Sequence, residues 1–133
     1  MANILVVDDY SPSHRLVSFI LQQYNHNVVS AFNGLQALER LAEVEVDLVL
    51  TDLAMPKMDG IGLLQEMRVS DRLRQIPVIM LTASGQRQER ARAEAAGIER
   101  FLTKPIESEE LVTAVEQALA SRAGSQLFCK SAA

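Results

Sequence analysis

Residues 48–52 read Leu48-Val49-Leu50-Thr51-Asp52, an apolar run that ends in a carboxylate. Two further runs close the same way with charge, Ile4-Leu5-Val6-Val7-Asp8-Asp9 and Phe101-Leu102-Thr103-Lys104-Pro105, and Val78-Ile79-Met80-Leu81 ends in the hydroxyl of Thr82. Short unbroken runs of branched apolar residues predict strands buried on both faces, as in parallel sheets. In an open parallel sheet, ligands bind beyond the carboxyl ends of the strands. The four runs therefore predict three carboxylates, a hydroxyl and an ammonium converging at one end of a sheet.

The segments between these runs carry helical periodicity. Ser11-Pro12 predicts a helix start, with a capping hydroxyl and then proline at the first helical position. Leu16, Val17, Ile20, Leu21 and Tyr24 form its apolar face. Asn27 to Phe32 reads as the second strand, Asn33-Gly34 opens a second helix with Leu35, Leu38 and Leu41 inward, and Asp59-Gly60 caps a third with Leu63, Leu64 and Met67 inward. Pro77 to Leu81 is the fourth strand. The helix after it, Gln86 to Ala96, has only alanines as apolar residues and a weak hydrophobic grip. Gly97 stops it, Ile98 to Thr103 is the fifth strand, and Glu107, Glu109 and Glu110 favour the start of a last helix, with Leu111, Val115, Ala118 and Leu119 inside. Gly124-Ser125-Gln126 predicts its end. Residues 1–121 form the expected domain, and 122–133 a tail, the start of a linker, or residues foreign to the protein.

Strands alternating with helices, joined by right-handed crossovers, predict an α/β fold in one of a few doubly wound orders; the expected one is a (βα)5 three-layer sandwich around a five-stranded parallel sheet in the flavodoxin-like order 2-1-3-4-5. That order sets Asp8 and Asp9 beside Asp52. The chain of 133 residues is 48% hydrophobic and 23% charged, ordinary for one globular domain. No apolar run approaches the roughly 20 residues that span a bilayer, and the start shows no basic n-region, so the expected compartment is the cytoplasm with no membrane partner. A formal net charge of −4 lacks the basic footprint of a nucleic-acid binder. The single Cys129 has no partner for a disulfide or at metal-ligand spacing. His14 and His26 read as surface residues, and Arg87, Arg90 and Arg92, alternating with Glu89 and Glu94, as a salt-bridged helix surface.

Three carboxylates crowded together require a cation or a proton. Hard oxygen ligands at a partly open site suit Mg²⁺, which commonly bridges carboxylate and phosphate. Asp52 is then the best nucleophile for an aspartyl-phosphate, with Asp8 and Asp9 as the metal pair and Lys104 and Thr82 available to phosphoryl oxygens.

The doublet Asp8-Asp9, the acceptor Asp52, the loop Met55-Pro56-Lys57-Met58-Asp59-Gly60, the hydroxyl of Thr82-Ala83, and Lys104-Pro105 together resemble the receiver domain of two-component response regulators, over residues 1 to 121. The resemblance implies a signalling phosphoacceptor that catalyses only its own phosphorylation and dephosphorylation. It implies direct metal ligation by Asp9, Asp52 and the backbone carbonyl of Ala54, with Asp8 acting largely through water. It further implies a phosphoryl contact from Lys104, a cis bond before Pro105, and a switch running from Thr82 to the aromatic Phe101. The implied partners are a sensor histidine kinase or phosphotransfer protein, and a downstream target or fused output domain; a phosphorylation-dependent homodimer is one arrangement such modules adopt. A haloacid dehalogenase-like phosphatase expects its nucleophile after the first strand with a second Asp two residues on, and a flavin carrier expects a hydroxyl- and glycine-rich loop there. Asp8-Asp9-Tyr10 suits neither.

Overall fold

The computed structural model describes residues 2–53, 55, 58–82, 87–104 and 106–132, with 87–89 and 121–132 described by their backbone. Five strands, β1 (Asn3–Val7), β2 (Asn27–Ala31), β3 (Leu48–Asp52), β4 (Val78–Thr82) and β5 (Arg100–Thr103), alternate with five helices. The helices are α1 (Ser11–Gln23), α2 (Gly34–Glu43), α3 (Gly60–Arg68), α4 (Arg87–Ala95) and α5 (Ser108–Ala132). All pairings are parallel and the order is β2-β1-β3-β4-β5, the expected one of the few doubly wound orders that the alternating pattern allows. Every residue of β3 and β4 is buried, which is why these two strands read as unbroken apolar runs.

The sheet divides the core in two. Leu5, Val7, Val49, Val78 and Met80 face a layer built from α2, α3 and α4, through residues such as Leu41, Leu64, Met67 and Ala93. Ile4, Val6, Leu50, Ile79 and Leu81 face α1 and α5, through Val17, Leu21, Leu111 and Val115. Strand alternation produces both faces from consecutive residues.

Several local expectations differ from the structure. Tyr10 is the residue before α1, and Ser11 is its first helical residue, so the serine is no cap; Pro12 occupies the first turn as expected. The buried stripe of α1 is His14, Val17, Ile20 and Leu21. Leu16 and Tyr24 are about half exposed, at 51% and 48%, because a stripe centred on Val17 and Leu21 turns both away from the sheet. His14 is buried, not on the surface: its Nε2 lies 3.2 Å from the Val6 carbonyl, its Nδ1 3.4 Å from Ser18 Oγ, and its ring stacks on Phe32 at 4.7 Å. Leu35 is exposed, and α2 buries Ala37 and Leu41 instead. The backbone of α5 continues past Gly124 to Ala132; one glycine in a helix interior costs only about 1 kcal/mol relative to alanine.

Caps and clamps set the loops. The Asn33 side chain accepts from the Gln36 N–H, and Asp59 accepts from the Gly62 N–H at 2.7 Å, each satisfying a free donor of a helix start. Arg68, at the end of α3, donates to the carbonyls of Arg74, Ile76 and Gly97 at 2.9, 3.1 and 2.9 Å. It thereby joins the approach to β4 to the turn that ends α4, where Gly97 adopts φ +92°, a value glycine reaches without strain.

Candidate functional site

Asp8 follows β1 directly, Asp52 closes β3, Thr82 closes β4 and Lys104 follows β5. Adjacent parallel strands in register bring these ends together: Val7 lies opposite Thr51, Asp52 opposite Leu81, and Thr82 opposite Thr103. One carboxylate oxygen from each of Asp8, Asp9 and Asp52 falls within 4.8 Å of the others. Asp8 and Asp52 are buried, whereas Asp9 faces solvent.

Backbone hydrogen bonds hold each group in place. The Tyr10 N–H donates to Asp8 Oδ1 at 2.9 Å and fixes the turn out of β1. The Leu53 N–H donates to the Leu81 carbonyl at 2.9 Å and the Gly60 N–H to the Leu53 carbonyl at 2.9 Å, so the segment after Asp52 is tied to β4 and to the start of α3. The Lys104 N–H donates to the Thr82 carbonyl at 2.7 Å, carrying the β4–β5 pairing one residue past the strand. Gly60 is required by space: a Cβ there would sit 2.5 Å from the Asp52 carbonyl oxygen and 2.6 Å from Met80 Sδ. The sequence marks Gly60 as a helix start and as the end of the loop Met55–Gly60, but neither reading carries a signal for this contact.

Lys104 Nζ lies 3.3 Å from Asp8 Oδ2 and 3.2 Å from Asp52 Oδ2, bridging the two buried carboxylates. Burial raises the pKa of Asp52; Lys104 opposes that shift and Asp8 adds to it, and the balance stands above the usual carboxylate value. Burial also works against the Lys104 ammonium, but Asp52 and Asp8 outweigh it and raise its pKa. Among the described residues, the site thus holds one ammonium between converging carboxylates of Asp8, Asp9 and Asp52. All three are hard oxygen donors, and exposed Asp9 leaves room for water, a donor set that fits a small divalent cation.

Thr82 is buried, at 3% exposure, where the switch hydroxyl was expected. Phe101 lies opposite Met80 in β5, partly buried against the layer that holds α4, with the Arg90 guanidinium carbon 5.4 Å from its ring centre. The Ala54 carbonyl and the bond before Pro105, both singled out in the sequence, lie outside the described residues. Of the salt-bridged face expected on α4, the structure shows the Arg90–Glu94 pair, 3.4 Å apart, while the Arg87 and Glu89 side chains lie outside the described residues. The Arg90–Phe101 contact joins different elements and was not expected. No described helix is long and apolar enough to cross a membrane.

The family described as response regulator receiver domain matches residues 4–116. The chemotaxis protein CheY-3 of Vibrio cholerae is 38% identical over 104 residues, which are 77% of this chain and 80% of CheY-3. RpaA of Synechocystis, a DNA-binding dual master transcriptional regulator, is 35% identical over 119 residues, 90% of this chain and 49% of RpaA. The chain thus spans about half the length of that relative. Among solved structures, the receiver domain of the sensor histidine kinase PA1611 from Pseudomonas aeruginosa, which has a magnesium ion coordinated in its active-site cleft, superposes with a TM-score of 0.83 at 26% identity, covering 90% of this chain and 98% of that one.

Proposed function

This chain belongs to the response regulator receiver domain family, the phosphoacceptors of two-component signalling, and from that premise we propose that Asp52 is its acceptor. The observation that carries this reading is the Lys104 ammonium bridging Asp8 and Asp52 among three converging carboxylates. Asp8, Asp9 and Asp52 would hold Mg²⁺, with the Ala54 carbonyl as a further ligand. When bound, that ion would neutralise the carboxylates and the phosphoryl oxygens they face.

An oxygen of Asp52 attacks the phosphorus of a phosphohistidine on a sensor kinase or phosphotransfer protein. As the new O–P bond forms, the P–N bond breaks, and its electron pair returns to the imidazole, which takes up a proton. Phosphoryl transfer is catalysed chiefly by such positioning and charge stabilisation. Lys104 exchanges one carboxylate for a phosphoryl oxygen, and the Thr82 hydroxyl turns toward another. Movement at Thr82 is passed across the β4–β5 pairing to Phe101. Water attack on phosphorus later releases phosphate and restores Asp52.

We assign the receiver unit to residues 1–121 and place it in the cytoplasm. The net charge of −4 supports output through a protein surface, to a separate target or a fused domain, with no nucleic-acid contact from this chain itself. The test is intact mass after incubation with acetyl phosphate and magnesium. Wild-type protein should gain one phosphoryl group and Asp52→Asn none; equal gain in both overturns the assignment.

A further inference from the structure

The charged face of α4 is more than a solvated helix surface where it meets β5. The Arg90 guanidinium carbon sits 5.4 Å from the centre of the Phe101 ring, within cation–π range. Arg90 Nε is in turn 3.4 Å from Glu94 Oε1, one helical turn on. These groups line an open cavity of about 350 Å³ together with Ile98 and Glu110, so Phe101 is reached from outside the molecule. Phe101 also packs against the core layer that contains Met80 and Ala93. Among the described side chains of α4, Ala93 alone is fully buried, so this helix has little apolar grip on the sheet.

We propose that Arg90 is a latch on Phe101, a positioning residue that holds the ring at the outer cavity and sets how readily it moves inward. The inference rests on the role assigned above to Phe101. Glu94 supplies the geometry, because an arginine tethered to its own helix keeps the guanidinium over the ring instead of in solvent. A ring that moves toward Thr82 must leave this cation, so the latch and the phosphorylated site act on Phe101 in opposite directions. The Arg90 and Glu94 side chains are 57% and 62% exposed, which makes the latch weak. A bias of about two- to fivefold between ring positions is the range expected of an exposed cation–π contact. That is suited to tuning a switch, since a stronger hold would block it.

The test uses the full chain labelled with fluorinated phenylalanine and followed by ¹⁹F NMR, the Phe101 signal being assigned by its loss in Phe101→Leu. Arg90→Gln should move the Phe101 resonance in the free protein. It should also tighten the apparent affinity for beryllofluoride with magnesium by about two- to fivefold. Arg90→Lys, which keeps the cation, should lie between Arg90→Gln and wild type. The direction is diagnostic, because loss of a positive charge would by itself weaken binding of an anion. If Arg90→Gln leaves the Phe101 resonance in place, or binds beryllofluoride no more tightly than wild type, the latch is wrong. If wild-type protein gives no beryllofluoride response at all, the assignment of Asp52 fails first, and the latch fails with it as a regulatory element.

Discussion

Replacing Lys104 with methionine keeps the length and apolar stem of the side chain and removes the ammonium between Asp8 and Asp52. At an effective dielectric of about 20, contacts of 3.2 and 3.3 Å each carry about 5 kcal/mol of attraction. Desolvation of the ammonium offsets several kcal/mol of this. The Asp8 and Asp52 carboxylates, within 4.8 Å of each other, are left with about 3 kcal/mol of repulsion. Asp52 can escape by taking up a proton, at about 1.4 kcal/mol for each pH unit above its unfolded pKa. We therefore expect Lys104→Met to lose about 2–4 kcal/mol of stability at pH 7.5 without metal. At pH 5 protonation of Asp52 limits the loss to about 1.5 kcal/mol.

The sign follows from linkage. The folded-state pKa of Asp52 is raised, so between the unfolded and folded values the native state binds more protons, and stability falls as pH rises through that window. Removing Lys104 widens the window upward. Magnesium should reverse much of the loss at pH 7.5, because it supplies the missing positive charge. The assay is urea unfolding by circular dichroism at both pH values, with chelator and with magnesium. A loss that is equal at both pH values and untouched by magnesium would show that Lys104 acts through packing of its stem, and would refute the electrostatic account.

Gly60→Ala should cost about 1–3 kcal/mol, the usual range for overpacking, because the new methyl would lie 2.5 Å from the Asp52 carbonyl oxygen. It should also weaken magnesium binding by displacing the end of β3, and near-wild-type urea midpoints and metal titrations would contradict this. Asp9→Asn should reduce magnesium affinity by about tenfold or more in a calorimetric titration. In chelator the same variant should unfold at an equal or higher urea concentration, since one of three converging negative charges is gone; a lower midpoint would mean that Asp9 stabilises the fold itself.

The strands themselves and the acidic end of the sheet were legible because the relevant physics is local, whereas the strand order was only narrowed to a few by crossover handedness. A strand buried on both faces must be apolar along its interior, as Leu48 to Leu50 are, and a charge is accommodated at its carboxyl end, where buried Asp52 meets Lys104. What escaped the sequence depends on partners distant along the chain. His14 is buried because Phe32, on the turn after β2, covers it. Arg68 reads as a charged helix end but finds three carbonyls on two separate segments. Leu16 and Leu35 look like core residues by type, yet the helix stripes that contact the sheet are narrower than the apolar pattern suggested. Arg90 over Phe101 belongs with these, since a salt-bridged helix surface reads identically whether or not an aromatic ring lies beneath it.

The Arg68 clamp gives α4 the mechanics of a lever. The end of that helix is held by Arg68 on the Gly97 carbonyl and by the N–H groups of Gly97 and Ile98 on the carbonyls of Glu94 and Ala93. A helix of nine residues is about 13 Å long, so a tilt of about 10° about this fulcrum carries its first turn through roughly 2 Å while Gly97 hardly shifts. Any tilt about this end would thus be graded along one helix. A partner gripping the turn at Gly97 meets nearly the same surface at every tilt, whereas one gripping the opening turn of α4 reads the full amplitude of the stroke.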